Sequence, residues 1–193
     1  MRRLLAIVLN VVAYDALWAV AIVGATRSWW WAGPLLIVVS AAGQLVLSPS
    51  PGREALVILA GSLVGVGLDY AALRMGLLSF DGGAGAFVLV FFALWVNFGT
   101  TLRPSLSWMW RRPVLAAGLG AVGGPLAYWV GSRIGAIGLG ERMWMTLAWV
   151  GVQYGVVLPI WMRLARGVLT PPGGTDRRSS APAATPAEGR PAA

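Results

Sequence analysis

The chain has 193 residues, of which 58% are hydrophobic and only 11% charged, with a mean hydropathy of +0.72. A soluble globular domain carries about 25% charged residues, so water is not the main solvent here. The net charge of +8 comes from fifteen basic residues, all arginine, scattered at the ends of apolar runs; this speaks for orientation in a membrane and against a nucleic-acid partner. Histidine and cysteine are absent, which excludes imidazole bases, thiol nucleophiles, disulfides and His or Cys metal sites, and no cofactor is expected.

Six apolar runs of about 17 to 24 residues are each long enough to cross a hydrocarbon core of about 30 Å. The first, over 4–24, follows Met1-Arg2-Arg3 but contains Asn10 and Asp15, so it reads as a retained helix and not a cleaved signal. The second, 31–48, opens at Trp29-Trp30-Trp31 and ends at Ser48-Pro49-Ser50-Pro51-Gly52, where prolines remove backbone donors. The third covers 54–78, and Asp81-Gly82-Gly83 turns the chain into the fourth, 85–102. Arg103 to Arg112 is too short and polar to span and suits the interface. The fifth run covers 113–131 and the sixth 144–163. Residues 1–168 thus form an all-α, six-transmembrane-helix bundle, while 169–193, rich in Pro, Ala, Gly, Ser and Thr, form a disordered cytoplasmic tail.

With six spans, one side carries Arg53, Arg103, Arg111, Arg112, Arg163 and Arg166 together with the arginines of both termini, and the other only Arg27, Arg74, Arg133 and Arg142. The positive-inside rule then places both termini in the cytoplasm of a bacterial inner membrane. Trp29 to Trp31, Trp129 and Trp144 are expected at the outer interface, and Trp108, Trp110 and Trp161 at the inner one. Ala16-Leu17-Trp18 recurs as Ala93-Leu94-Trp95, Pro34-Leu35 is echoed by Pro113-Val114, and Val64-Gly65-Val66 by Val150-Gly151-Val152. A 3+3 inverted repeat is therefore a candidate arrangement, as in many secondary transporters.

Asp15 falls near the middle of the first helix, where an aspartate costs about 2.5 to 3.5 kcal/mol and needs a partner or a wet cavity. Asp69 lies in the outer half of the third helix, while Arg53 and Arg74, near its ends, are expected to reach the headgroups. Asn10, Gln44, Asn97, Thr100, Thr101, Gln153 and Tyr154 give most helices an internal hydrogen-bonding group. One polar intramembrane site formed by Asp15, Asp69, Asn97, Gln153, Asn10 and Tyr154 is the functional expectation; each amide or hydroxyl alone is explained by helix packing, at about 0.6 kcal/mol per bond. Gly120, Gly123 and Gly124 allow close helix approach, and Pro125 removes a backbone bond. No phosphate loop, dinucleotide fingerprint, nucleophile elbow or carboxylate metal motif appears, so no catalytic residue is assigned and an enzymatic role is unsupported.

Arg53-Glu54 through Asp69 to Leu77-Leu78-Ser79-Phe80, Ala93-Leu94-Trp95, Thr100-Thr101-Leu102, Ser105-Leu106 and, most specifically, Gly123-Gly124-Pro125-Leu126-Ala127-Tyr128 resemble an uncharacterised bacterial integral-membrane family, domain of unknown function 2878. The resemblance covers nearly all of the six helices and excludes the tail. The first helix, with Asn10 and Asp15, is less typical, so no role for Asp15 carries over. The family implies a membrane protein, assigns no reaction, and implies a lipid-related partner. The expected function is a small transporter-like or permease-like protein, with a homodimer and membrane lipids as candidate partners. The competing expectation is a noncatalytic subunit of a lipid-modifying or envelope membrane enzyme, docking through Trp108 to Arg112 and the fifth helix.

Overall fold

The computed structural model describes residues 2–170, with side chains from Leu4 onward. The expected tail lies outside the described residues except for Leu169 and Thr170, and Leu169 is a buried residue at the end of the last helix. Six α-helices follow in chain order: α1 (Arg2–Ala25), α2 (Ala32–Val46), α3 (Pro51–Arg74), α4 (Gly83–Gly99), α5 (Pro113–Ile134) and α6 (Met143–Leu169). A 3-10 turn at Ser107–Met109 lies between α4 and α5. The only strands among the described residues are β1 (Leu78–Ser79) and β2 (Gly138–Leu139), which pair antiparallel.

Proline opens α3 and α5 at the first turn, where its missing N–H has no helical partner to lose. Glycine closes both. Gly76 and Gly135 adopt φ of 72° and 86°, and the following amides, Leu77 and Ala136, bond back to Ala72 and Gly131, each at 3.0 Å. This left-handed cap ends α3 at Arg74, four residues before the end of the expected span.

The outer surface is apolar and the interior holds polar groups, the reverse of a soluble domain. Leu47, Val114, Val122 and Val152 are exposed, whereas Glu54, Asp69, Asn97, Thr146 and Gln153 are buried. Four helices are long and apolar enough to cross a membrane: α1 over Leu4–Ala25, α3, α5 and α6. The other two, α2 and α4, are shorter, at 15 and 17 residues.

Consecutive helices alternate in direction. Asn10 from α1, Gln44 from α2, Glu54 from α3 and Thr100 after α4 meet at one end, the Glu54 end. At the opposite, Ser79 end, Trp30, Phe80 and Ile137 line a common crevice. Arg53, Arg103, Arg111, Arg112, Arg163 and Arg166 belong to the Glu54 end, and Arg27, Arg74, Arg133 and Arg142 to the Ser79 end.

The internal likeness traced by the contacts differs from the expected three-helix halves. Ser79 pairs with Gly138, and around this pair α3–β1–α4 corresponds to α5–β2–α6. Gly61, Gly65, Asp69, Arg74, Gly76 and Trp95 of the first hairpin are followed at one constant sequence spacing by Gly120, Gly124, Tyr128, Arg133, Gly135 and Tyr154 of the second. One pair of contacts matches too. Gly65 receives the Trp95 indole and Gly124 the Tyr154 ring, and a Cβ at either glycine would overlap the facing ring. Trp95 and Tyr154 then stack on each other across the hairpin junction, centroids 4.6 Å apart and 26° from parallel.

Trp161 departs from its expected interfacial place. It is 2% exposed, fills the space left by Gly61 and donates its indole N–H to the Val57 carbonyl at 2.7 Å. Its polar atom is satisfied by a neighbouring helix, so the ring has no need of the headgroup region.

Candidate functional site

Two polar clusters exist inside the bundle, and the expected site residues divide between them. The deeper one is built on Asp69, fully buried on α3. Trp95 Nε1 from α4 donates to Asp69 Oδ2 at 2.6 Å, and Gln153 Nε2 from α6 donates to Oδ1 at 2.8 Å. The Tyr128 hydroxyl of α5 stands beside the same carboxylate but outside hydrogen-bond geometry. Four helices therefore converge on one acid. All of its partners are neutral: the single ion pair among the described residues is elsewhere, and Arg74 is exposed. The Tyr128 hydroxyl and Gln153 Oε1, both buried, have no hydrogen-bond partner. Unpaired buried polar atoms cost about 1 to 3 kcal/mol each and are rare without a purpose.

Beside this cluster, α1, α4, α5 and α6, with Leu106, Trp108 and Met109 of the α4–α5 connector, line a partly open cavity of about 290 Å³. Its walls are aromatic: Trp95, Tyr128 and Tyr154 face Phe91 and Phe98, with Tyr14 and Trp18 contributed by α1. Small residues make the room. Gly120 and Gly124 admit the Tyr154 backbone and ring, while Gly123 has nothing within 4 Å of its Cβ direction and forms part of the wall. Pro125 packs near Gly151 of α6.

The second cluster lies at the Glu54 end around a cavity of about 640 Å³. Glu54, 3% exposed, pairs with Arg103 at 2.9 Å and accepts from Ser48 Oγ at 2.5 Å and Gln44 Nε2 at 3.2 Å. Asn10 donates to Gln44 Oε1 at 3.3 Å and accepts from Ser105 Oγ at 2.6 Å. Asn97, 1% exposed, donates to the Tyr14 carbonyl at 3.0 Å and also lines this cavity. Tyr14 forms part of both cavity walls and meets Phe98 edge-on, so it stands between the polar and the aromatic space.

The six expected site residues are thus not one constellation. Asp69 and Gln153 bond directly, with Tyr154 in the adjoining aromatic wall; Asn10 and Asn97 belong to the Glu54 end. Asp15 joins neither group: it is exposed on α1 and makes no hydrogen bond or ion pair among the described residues. The helical period explains this, since Asp15 directly follows the inward-facing Tyr14 and points about 100° away from it. Trp95 and Tyr128 were not singled out by sequence reasoning. The signal that finds them is the position match between the hairpins, where Tyr128 takes the place of Asp69 and Tyr154 that of Trp95.

Comparison with known proteins adds a family and no activity. No curated protein and no solved structure matches the chain. A family model described as "Protein of unknown function (DUF2878)" matches residues 7–160, spanning α1 to most of α6 and including every residue of both clusters, and the chain therefore belongs to that family.

Proposed function

We propose that this is a six-span, permease-like protein of the bacterial cytoplasmic membrane, with its substrate site at the junction of the two matching hairpins. The observation that carries the reading is Asp69: a fully buried carboxylate with only neutral partners, flanked by unpaired polar atoms and by an open aromatic cavity. Transporters built from parallel repeats place their sites at such a junction near the bilayer midplane, on an axis along the membrane normal. Asp69 lies five residues before the end of α3 and Trp95 four residues before the end of α4, and the two side chains reach each other across the space between these helices.

The alternation of helix ends supports six spans. At 1.5 Å per residue α2 and α4 reach roughly 22 to 26 Å, a shortfall that local bilayer thinning accommodates at a fraction of a kcal/mol per Å. The excess of arginine at the Glu54 end supports its placement in the cytoplasm. The 640 Å³ cavity would then be the cytoplasmic vestibule, with Tyr14 and Phe98 between it and the site.

Single-cysteine labelling tests this directly, because the chain has no native cysteine. Ser40→Cys in the vestibule wall and Gly123→Cys in the aromatic wall should both react with a small water-soluble thiol reagent, Ser40→Cys from the cytoplasmic side only. If neither reacts while Gly52→Cys in the exposed start of α3 does, both spaces are dry and the permease reading is wrong.

A further inference from the structure

We propose that the outward face of α1 around Asp15 docks a transmembrane helix of another membrane protein, one that carries an arginine or lysine at mid-span. The inference concerns a surface outside both cavities and stands whether or not the permease reading holds.

Asp15 is the midpoint of the Leu4–Ala25 span. At 1.5 Å per residue it lies roughly 15 Å from either end, and a side chain with a single methylene cannot reach the headgroups as arginine and lysine do. It lines neither the aromatic cavity nor the vestibule, so neither offers it water. Even an uncharged carboxylic acid would present a hydroxyl and a carbonyl to lipid tails that cannot pair with them. Acids inside a span almost always face a bundle interior or a wet cavity and pair with another group. Among the described residues Asp15 does none of these.

The rest of α1 shows which side is free. Its inward stripe is occupied: the Tyr14 carbonyl accepts from Asn97, and Leu17 and Ala21 pack with Ile37 and Ala41 of α2 and Ala93 and Val96 of α4. The outward stripe of Val8, Val11, Val12, Asp15 and Ala19 is exposed. Among the four long spans α1 is also the outermost, with 11% of its most apolar stretch buried against 44% in α3 and 28% in α5 and α6. Valine and alanine on either side of the acid leave room for another helix to pack closely.

Charge decides the partner. Every arginine from Arg27 to Arg166 belongs to the Glu54 end or the Ser79 end, so a second copy has no cation to offer at this depth, and a symmetric pair would bring like charges together. A basic residue at mid-span on a different chain supplies the opposite charge, and arginine keeps its proton even in hydrocarbon.

The test is energy transfer in phosphatidylcholine vesicles between the full chain, labelled at Gly52→Cys, and leucine-alanine peptides of about 20 residues that carry a central arginine or, as control, a central leucine. Gly52 is exposed and has open space at its Cβ position. The expected result is saturable transfer to the arginine peptide, weakened by about tenfold or more in Asp15→Asn and with the leucine peptide. Asp15→Arg should lose the arginine peptide and gain one with a central aspartate, an exchange that only direct pairing predicts. Near-ultraviolet circular dichroism checks that each variant is folded, and the Asp15→Asn comparison stands even if Asp15→Arg fails to fold. Transfer no greater to the arginine peptide than to the leucine peptide overturns the proposal. Transfer between two labelled copies of the chain that is lost in Asp15→Asn and not competed by the arginine peptide overturns it in favour of self-association.

Discussion

Replacing Trp95 by phenylalanine removes one N–H from the centre of the bundle and little else. The six-membered ring still covers Gly65 and still stacks on Tyr154, so the cost is concentrated in the bond to Asp69. A neutral interhelical hydrogen bond in a membrane is worth about 0.6 kcal/mol, whereas a bond to a charged group contributes about 1.5 to 3. At 2.6 Å to a fully buried carboxylate, the Trp95 bond belongs to the second class. Lost ring area adds about 1 kcal/mol, so Trp95→Phe should destabilise the fold by about 3 kcal/mol. In an Asp69→Ala background the acceptor is gone and only the packing loss of about 1 kcal/mol should remain. Titration of the folded fraction with sodium dodecyl sulfate in mixed micelles, followed by near-ultraviolet circular dichroism, measures all four corners of the cycle. A coupling energy below about 0.5 kcal/mol would mean that the two residues act independently, and would refute the assignment of this bond as the centre of the core.

The same titration checks three further expectations. Arg103→Ala strands the buried Glu54 and should cost about 3 to 5 kcal/mol, whereas the double variant Arg103→Ala/Glu54→Gln should recover a good part of that loss. Gly65→Leu should prevent folding because its side chain collides with the Trp95 indole; Gly67→Leu, with open space at its Cβ position, should be tolerated. Gly76→Ala and Gly135→Ala place a Cβ on left-handed backbone and should each cost about 1 to 2 kcal/mol, with similar values because the two caps share their geometry.

Much of the helical architecture was legible because apolar runs of membrane length leave little choice of secondary structure. The runs around Leu4–Ala25 and Met143–Leu169 announce themselves by hydropathy, whereas Pro51, read in sequence as part of a break, is the first residue of α3. The site was less legible. Which face of an apolar helix turns inward is invisible when both faces are hydrophobic, and this is why Asp15 stood out in sequence although it faces outward, while Tyr128 and Trp95 passed as ordinary aromatic residues. Trp161 was misplaced for a related reason: closeness to a helix end does not reveal that Gly61 on another helix has left room for an indole. The hairpin match escaped notice because it is carried by widely spaced glycines and by replacements such as Tyr128 for Asp69, and short words of identical residues do not detect it.

A homodimer of hairpins must place identical residues on both sides of its axis, so two acids would face each other wherever one is needed. With both hairpins in one chain, that constraint is lifted. Asp69 can sit opposite Tyr128, and Trp95 opposite Tyr154, giving a centre with one carboxylate where strict symmetry would impose two. The asymmetry can be exchanged: Asp69→Tyr combined with Tyr128→Asp would move the acid to the matching position of the other hairpin, onto the helix that now holds the phenol.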